Sequence, residues 1–253
     1  MAKDVTLIYF SPTGGVEKYA VGLGEKLGSI KNNIEVSEKN WSKTQFEASD
    51  LVIVAGPVFG GRIPPYMTEK MAEFSGSNTP AVTMAVYGNR DYEDALLELN
   101  DICREQGFDV IASCAVIAEH SIVRQVAKGR PDKADFEEIS EFAEKVLEKL
   151  ASGSMSAPEV PGNRPYTKWN STNFVPLVTG DCKKCGICAE KCPTQAIDYE
   201  DTAAADVTKC MLCGRCIAVC PEKARALPNQ IQAALNDKLI SLKDVRKDNE
   251  FFL

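Results

Sequence analysis

Eight of the ten cysteines in this 253-residue sequence fall into two runs of one spacing, CKKCGICAEKCP from Cys182 to Pro193 and CMLCGRCIAVCP from Cys210 to Pro221. Each reads CxxCxxCxxxCP. Thiolates are soft metal ligands, and three on a regular two-residue spacing can turn their sulfurs toward one centre while a fourth ligand comes from elsewhere. The chain reads as cytoplasmic, and reducing compartments keep thiols free, so a disulfide framework is not expected. The runs therefore read as a dedicated metal module. Cys103 and Cys114 stand alone in apolar or helical surroundings and read as inert core residues.

The spacing is that of the two-cluster iron-sulfur run, in which the fourth cysteine of each run ligates the other cluster. On that rule Cys182, Cys185, Cys188 and Cys220 hold one 4Fe-4S cluster, and Cys210, Cys213, Cys216 and Cys192 hold the second. Zinc is the rival reading, because paired CxxC motifs also build four-cysteine structural sites. Zinc needs only two such pairs per ion, whereas each run here offers three regular thiols, a fourth and a proline. Pro193 and Pro221 remove a backbone donor and turn the chain, and Gly186 and Gly214 allow backbone to approach an inorganic core. The segments PTQAIDYE and PEKARALP echo each other, each leaving its run through a turn into a small strand. From Asp181 to Pro228 the segment carries seven acidic and seven basic side chains. Lys183, Lys184 and Arg215 read as solvated side chains, or else as groups that tune potentials or receive an acidic donor.

Composition excludes several classes. With 44% hydrophobic and 26% charged residues the chain is ordinary globular material, long enough for one sizeable core and a smaller module. A formal charge of -7 with interspersed Lys and Arg argues against a nucleic-acid surface. The opening MAKDVTLIYF passes directly into a strand-like run without a cleavage site, so no secretion signal is expected. No uncharged apolar run approaches the roughly 18 residues of a membrane span. Oligomeric state is not read from the sequence.

The elements that must position these groups follow from periodicity. Up to about Leu150, short apolar runs alternate with amphipathic stretches, the pattern of βαβ units in an α/β doubly wound sheet. Strands are expected at Val5 to Phe10, Ile34 to Val36, Leu51 to Ala55, Ala81 to Tyr87 and Val110 to Ala118. Helices are expected at Val16 to Leu27, Pro65 to Phe74, Tyr92 to Gln106 and Lys133 to Leu150. The last should pack through Phe136, Ile139, Phe142, Ala143, Val146, Leu147 and Leu150. A Ser-, Pro-, Gly- and Asn-rich stretch follows and reads as a linker, with Tyr166, Trp169 and Phe174 expected to be buried against a domain surface. Beyond Pro228 a short helix and a tail are expected, with Phe251, Phe252 and Leu253 docking on the body.

Three loops leave the carboxyl ends of central strands, where doubly wound sheets bind ligands. Ser11, Thr13, Gly14 and Gly15 enter a helix and form a candidate anion site. Neither GxGxxG nor GxxxxGK[ST] is present, so the dinucleotide and nucleoside-triphosphate fingerprints fail. Pro57, Val58, Phe59, Gly60 and Gly61 follow the third strand. Gly88, Asn89, Arg90 and Tyr92 follow the fourth. Phe59 and Tyr92 are placed to flank a flat ring, with Gly60, Gly61 and Gly88 letting backbone reach its edge. The lone His120 reads as a surface or capping residue.

The segment from Val178 to Leu227 resembles a bacterial two-cluster ferredoxin. Ser11-Pro-Thr13-Gly14 resembles the flavodoxin phosphate loop, and GPVFGGRIP with YGNRDYEDAL is similar to flavin-flanking loops. The chain as a whole resembles flavodoxin-like proteins fused to a C-terminal ferredoxin, with Val16 where many flavodoxins carry a hydroxyl residue. That resemblance implies a flavodoxin-like parallel sheet of order 2-1-3-4-5 over residues 1–151, a linker over 152–177, a smaller α+β ferredoxin domain over 178–228, and a closing helix and tail over 229–253. It implies one FMN and two 4Fe-4S clusters, electron transfer in anaerobic metabolism, and redox proteins or a small-molecule acceptor as partners. An FMN-dependent reductase fed through the clusters is the alternative, and a redox sensor with structural clusters a third possibility.

Overall fold

The computed structural model describes residues 3–38, 41–170 and 173–253. In chain order its main elements are β1 (Lys3–Tyr9), α1 (Gly15–Leu27), β2 (Gly28–Glu35), β3 (Leu51–Pro57), α2 (Pro65–Met71), β4 (Thr79–Tyr87), α3 (Ala95–Glu105), β5 (Phe108–Ile117), α4 (Lys133–Ala151), β6 (Leu177–Val178), α5 (Ile187–Glu190), α6 (Arg215–Ala218), β7 (Arg225–Ala226), α7 (Asn229–Leu239) and β8 (Glu250–Phe252). β1 to β5 form a parallel sheet in the order 2-1-3-4-5. That order is the flavodoxin-like one, and it puts the loops after β1, β3 and β4 together at the carboxyl edge.

Side-chain alternation assigns the faces. Val5, Leu7 and Tyr9 point with Ile53, Met84 and Val116 into one core beneath α1 and α4. Ile8 and Phe10 point with Val52 and Val54 into a second core beneath α2 and α3. β3 and β4 are buried along their whole length, which is why they read as continuous apolar runs. α4 begins with a capping box, in which Asp135 N–H donates to the Asp132 carboxylate and Asp132 N–H to that of Asp135.

Three features differ from expectation. β2 starts at Gly28, well before Ile34, because an edge strand with one polar face, GSIKNNIE, lacks an apolar signal over most of its length. Leu147 is exposed, whereas Ile139, Phe142, Ala143 and Val146 are buried as the helical period requires. The tail does more than dock: β8 joins the sheet antiparallel to β5, pairing Phe251 with Cys114, and Phe251 stacks on Phe142 with centroids 4.9 Å apart.

Between α4 and β6 the polar stretch is strapped down. Asp94 accepts Asn163 N–H at 2.8 Å, Thr167 N–H at 2.6 Å and the Thr167 hydroxyl at 2.8 Å. Arg62 lies over the Tyr166 ring at 4.8 Å, and Arg164 pairs with Asp101. Burial pushes the Asp94 carboxyl up, but these hydrogen bonds outweigh it and hold the group below its ordinary value.

The cysteine segment is a duplicated unit whose features recur 28 positions apart. Lys184 and Leu212 take positive φ, as do Gly186 and Gly214, and Gln195 and Lys223. α5 matches α6, and the Ala196 N–H···Sγ bond of Cys192 matches the Ala224 N–H···Sγ bond of Cys220. β6 pairs antiparallel with β7, and Ile197 bridges Ala205 in the same sense. No helix among the described residues is long and apolar enough to cross a membrane.

Candidate redox site

At the carboxyl edge of the sheet a cavity is lined by Ser11, Pro12, Thr13, Gly15, Val16, Pro57, Val58, Phe59 and Gly88, and by Ala118 to Ser121. Seven sequence-predicted residues, Ser11, Thr13, Gly15, Pro57, Val58, Phe59 and Gly88, thus meet in one place. Gly14 caps α1 at φ 88° with open space around it, a conformation that disfavours a side chain. Ser11 is fixed on three sides. Its hydroxyl accepts Glu17 N–H at 3.0 Å, its N–H donates to Glu35, and its carbonyl accepts from Arg215. With its acceptor side occupied, the hydroxyl keeps its proton to donate to an anion.

Gly60 and Gly61, at φ 59° and 83°, form the tip of a two-residue hairpin closed by Phe59 and Arg62. Two successive positive φ angles are the reason for Gly-Gly here. Arg62 then anchors the loop on Glu98, which also accepts Ile63 N–H at 2.9 Å.

The β4 loop divides. Gly88 lines the cavity, and a Cβ on it would lie 2.5 Å from His120 Cδ2. Asn89, Arg90 and Tyr92 lie away from it. Asn89 donates to the carbonyls of Leu242 and Val245, Arg90 pairs with Glu93, and Lys247 donates to the Arg90 carbonyl. Tyr92 packs on Tyr87 and donates to Glu250 at 2.9 Å, so its ring serves the tail.

His120 is half-buried and lines the cavity, a position foreshadowed by its place after the last parallel strand. As expected it caps, accepting Ile122 and Val123 N–H at Nδ1 (3.2 and 3.0 Å). Burial, aided by the Arg90 charge, depresses its pKa to about 4.

In the duplicated segment Cys192, Cys210, Cys213 and Cys216 line one enclosed cavity, with Arg215 and Arg225 in its wall. This is the exchanged set: three cysteines of one run and the fourth of the other. Cys213 and Met211 pack against the α2/α3 core, and Gly214 faces Thr13. We call this the inner set. Of the other four, Cys185 is exposed and Cys182, Cys188 and Cys220 are half-buried; we call these the outer set. Burial pushes the Cys213 thiol up to about 12 and the Cys216 thiol up to about 11. Thiolates in this place need compensating positive charge.

Among the described residues no group of three or more His, Cys, Asp or Glu side chains is arranged to hold a metal ion. The four thiols that line the inner cavity are the ligand type a 4Fe-4S cluster takes. The donor set fits the cluster. Residues 181–225 match the family model described as the 4Fe-4S dicluster domain. This segment is a 4Fe-4S dicluster domain.

The dicluster domain thus binds 4Fe-4S chemistry, beside a first part that carries the flavodoxin-like fold by its strand order. Similar solved structures include rubredoxin oxygen:oxidoreductase from the anaerobe Desulfovibrio gigas, with 20% identity and TM-score 0.44 over 60% of this chain and 37% of that one. Flavodoxin 1 from Bacillus cereus has 15% identity and TM-score 0.41 over 58% of this chain and 98% of that one. A flavodoxin from the domain Archaea has 14% identity and TM-score 0.41 over 58% and 99%. No curated protein matches the chain.

Arg215 corrects the reading of it as solvated. It sits between Cys213 and Cys216, pairs with Glu35 at 3.1 Å and donates to the Ser11 carbonyl at 2.9 Å; both charged side chains are only 11% exposed. Glu35 was not singled out in the sequence, although its place at the carboxyl end of β2 could have found it. Arg225 was also missed. Aligning PTQAIDYE on PEKARALP sets it against Ile197, and that contrast was legible. Cys103 and Cys114 are fully buried away from both sites.

Proposed function

We propose that the chain is an electron-transfer protein that holds FMN at the carboxyl edge of the sheet and two 4Fe-4S clusters in the dicluster domain, and couples them. One observation carries the reading: the inner cysteine run lies directly on the anion loop, with Arg215 donating to Ser11 and Gly214 facing Thr13. Bound FMN exchanges one or two electrons and each cluster one, so the pair joins two kinds of redox chemistry.

The chain's own residues supply the positioning. Ser11, Thr13, Gly14 and Gly15 meet the phosphate with a hydroxyl proton, backbone N–H groups and the start of α1. Pro57, Val58, Phe59 and Gly88 border the ring, Gly60 and Gly61 turn the hairpin beside it, and Asn89, Arg90 and Tyr92 brace the β4 loop from behind. Cys192, Cys210, Cys213 and Cys216 hold the inner cluster, and Cys182, Cys185, Cys188 and Cys220 the outer one. In this reading residues 1–151 and 178–228 are the two redox units, 152–177 ties them and 229–253 closes the first. A protein or small-molecule redox partner meets the exposed Cys185 side. Reduction of a small substrate on the flavin is the weaker reading: His120, neutral with Nδ1 occupied by two backbone donors, is poorly suited to supply protons near pH 7.

The test is a stepwise reductive titration of anaerobically purified protein, with iron and flavin quantified in the same sample. About eight irons and one FMN per chain, with electrons equilibrating between them, are expected. Eight irons without flavin after FMN is added would remove the coupling, and unchanged flavin reduction in Cys185→Ala would remove the outer set from the route.

A further inference from the structure

Two buried guanidinium nitrogens in the wall of the inner cavity have no partner. Arg215 Nε and Arg225 Nε are each shielded from solvent and without a hydrogen bond, and both residues line the space enclosed by Cys192, Cys210, Cys213 and Cys216. Buried donors are nearly always satisfied, and an orphan of a charged group is the costlier kind. Arg225 makes the case more strongly. It is 3% exposed and donates to the carbonyls of Pro176 and Thr202. It has no carboxylate partner among the described residues. A buried cation requires a compensating anion. A 4Fe-4S centre with four thiolates, carrying about -2, is such an anion, and its sulfurs accept hydrogen bonds.

The duplication supplies its own comparison. Counting 28 positions back, Arg215 corresponds to Ile187 and Arg225 to Ile197, neither of which has a side-chain donor or charge. The two halves share their turns, short helices and N–H···Sγ bonds, so this is a chemical difference laid on a common scaffold. Hydrogen bonds to cluster sulfur and nearby positive charge favour the more negative, reduced state.

We propose that Arg215 and Arg225 bind the inner cluster through their Nε–H groups and set its midpoint potential above that of the outer cluster. The inference rests on the two-cluster reading above. Each reduction adds one electron from the external reductant to one cluster and moves no proton onto these arginines. Arg225 supplies a donor and an unpaired charge. Arg215 supplies chiefly a donor, since Glu35 already balances its charge. Electrons entering at the exposed Cys185 side would settle on the inner site, against the flavin loop.

The experiment is an anaerobic potentiometric titration of the full chain followed by electron paramagnetic resonance, with iron counted in every sample. Cys185→Ser marks the outer signal. Two distinct midpoints are expected in the unaltered protein. Arg225→Ile should lower only the inner one, by about a tenfold change in reduced-to-oxidised ratio at fixed poise. Arg225→Lys, which keeps charge but loses the planar Nε–H, should lower it less, and Arg215→Lys should also lower it. Should Arg225→Ile fail to assemble, the two lysine variants decide. Eight irons with an unmoved inner midpoint, or movement of the outer one instead, overturns the proposal. About four irons in the unaltered protein overturns the two-cluster reading and this inference with it.

Discussion

His120 shows how a side chain's role can be read from its type while its surroundings cannot. A lone histidine gives no periodic signal, and its capping role needs no particular neighbour in sequence. What makes it informative is burial beside Gly88, a tertiary property. Its depressed pKa fixes a pH dependence. Its ordinary value is 6.5 and its folded value about 4, so the unfolded chain takes up the proton first as pH falls. The stability this neutral imidazole contributes is complete above pH 6.5 and is lost between 6.5 and about 4, at most about 3 kcal/mol. As His120 is the sole histidine, His120→Gln should flatten that part of a urea-denaturation profile between pH 7 and 5. An equal slope in both proteins would assign it to carboxylates.

At the level of elements, four of the five parallel strands and the helices between them were legible because β1, β3 and β4 are largely apolar and α1, α3 and α4 are amphipathic. β2 and β8 were not. One is a polar edge strand, and the other is three residues long and defined only by the partner it finds. β8 is nevertheless held by a buried network. Asn249 Oδ1 accepts Ile117 N–H at 2.9 Å, and its amide donates to Asp135, which forms an ion pair with Arg130 that is almost wholly buried. Removing residues 250–253 uncovers the β5 edge around Ser113 to Ala115, and unpaired edges template association. The truncated chain should scatter light at concentrations where the full chain does not. Asn249→Ala should cost about 1–3 kcal/mol by leaving Ile117 N–H unpaired in the core, measured by urea unfolding.

On the scale of the whole molecule, composition marked a Pro- and Gly-rich stretch but not its order, because such a stretch is equally suited to a loose tether and a strap. The deciding residue, Asp94, lies more than 65 positions away from Asn163 and Thr167 in sequence, beyond the reach of any local pattern. Asp94→Ala should free the segment around Asn163 to Thr167 and open it to limited proteolysis, with the two fragments separating on a gel. If the cleavage rate is unchanged, the packing of Arg62 on Tyr166 suffices. The dicluster segment was legible from cysteine spacing alone, whereas the contact between its second run and the anion loop, through Arg215 and Glu35, required the fold.

The position of β8 in chain order has a temporal meaning. Residues 249–252, which close the sixth strand and satisfy Ile117, Arg130 and Asp135, lie beyond both cysteine runs. During synthesis all eight thiols of the two runs are therefore made before the strand that completes the sheet, and the parallel strands must wait with the β5 edge open until the last residues arrive.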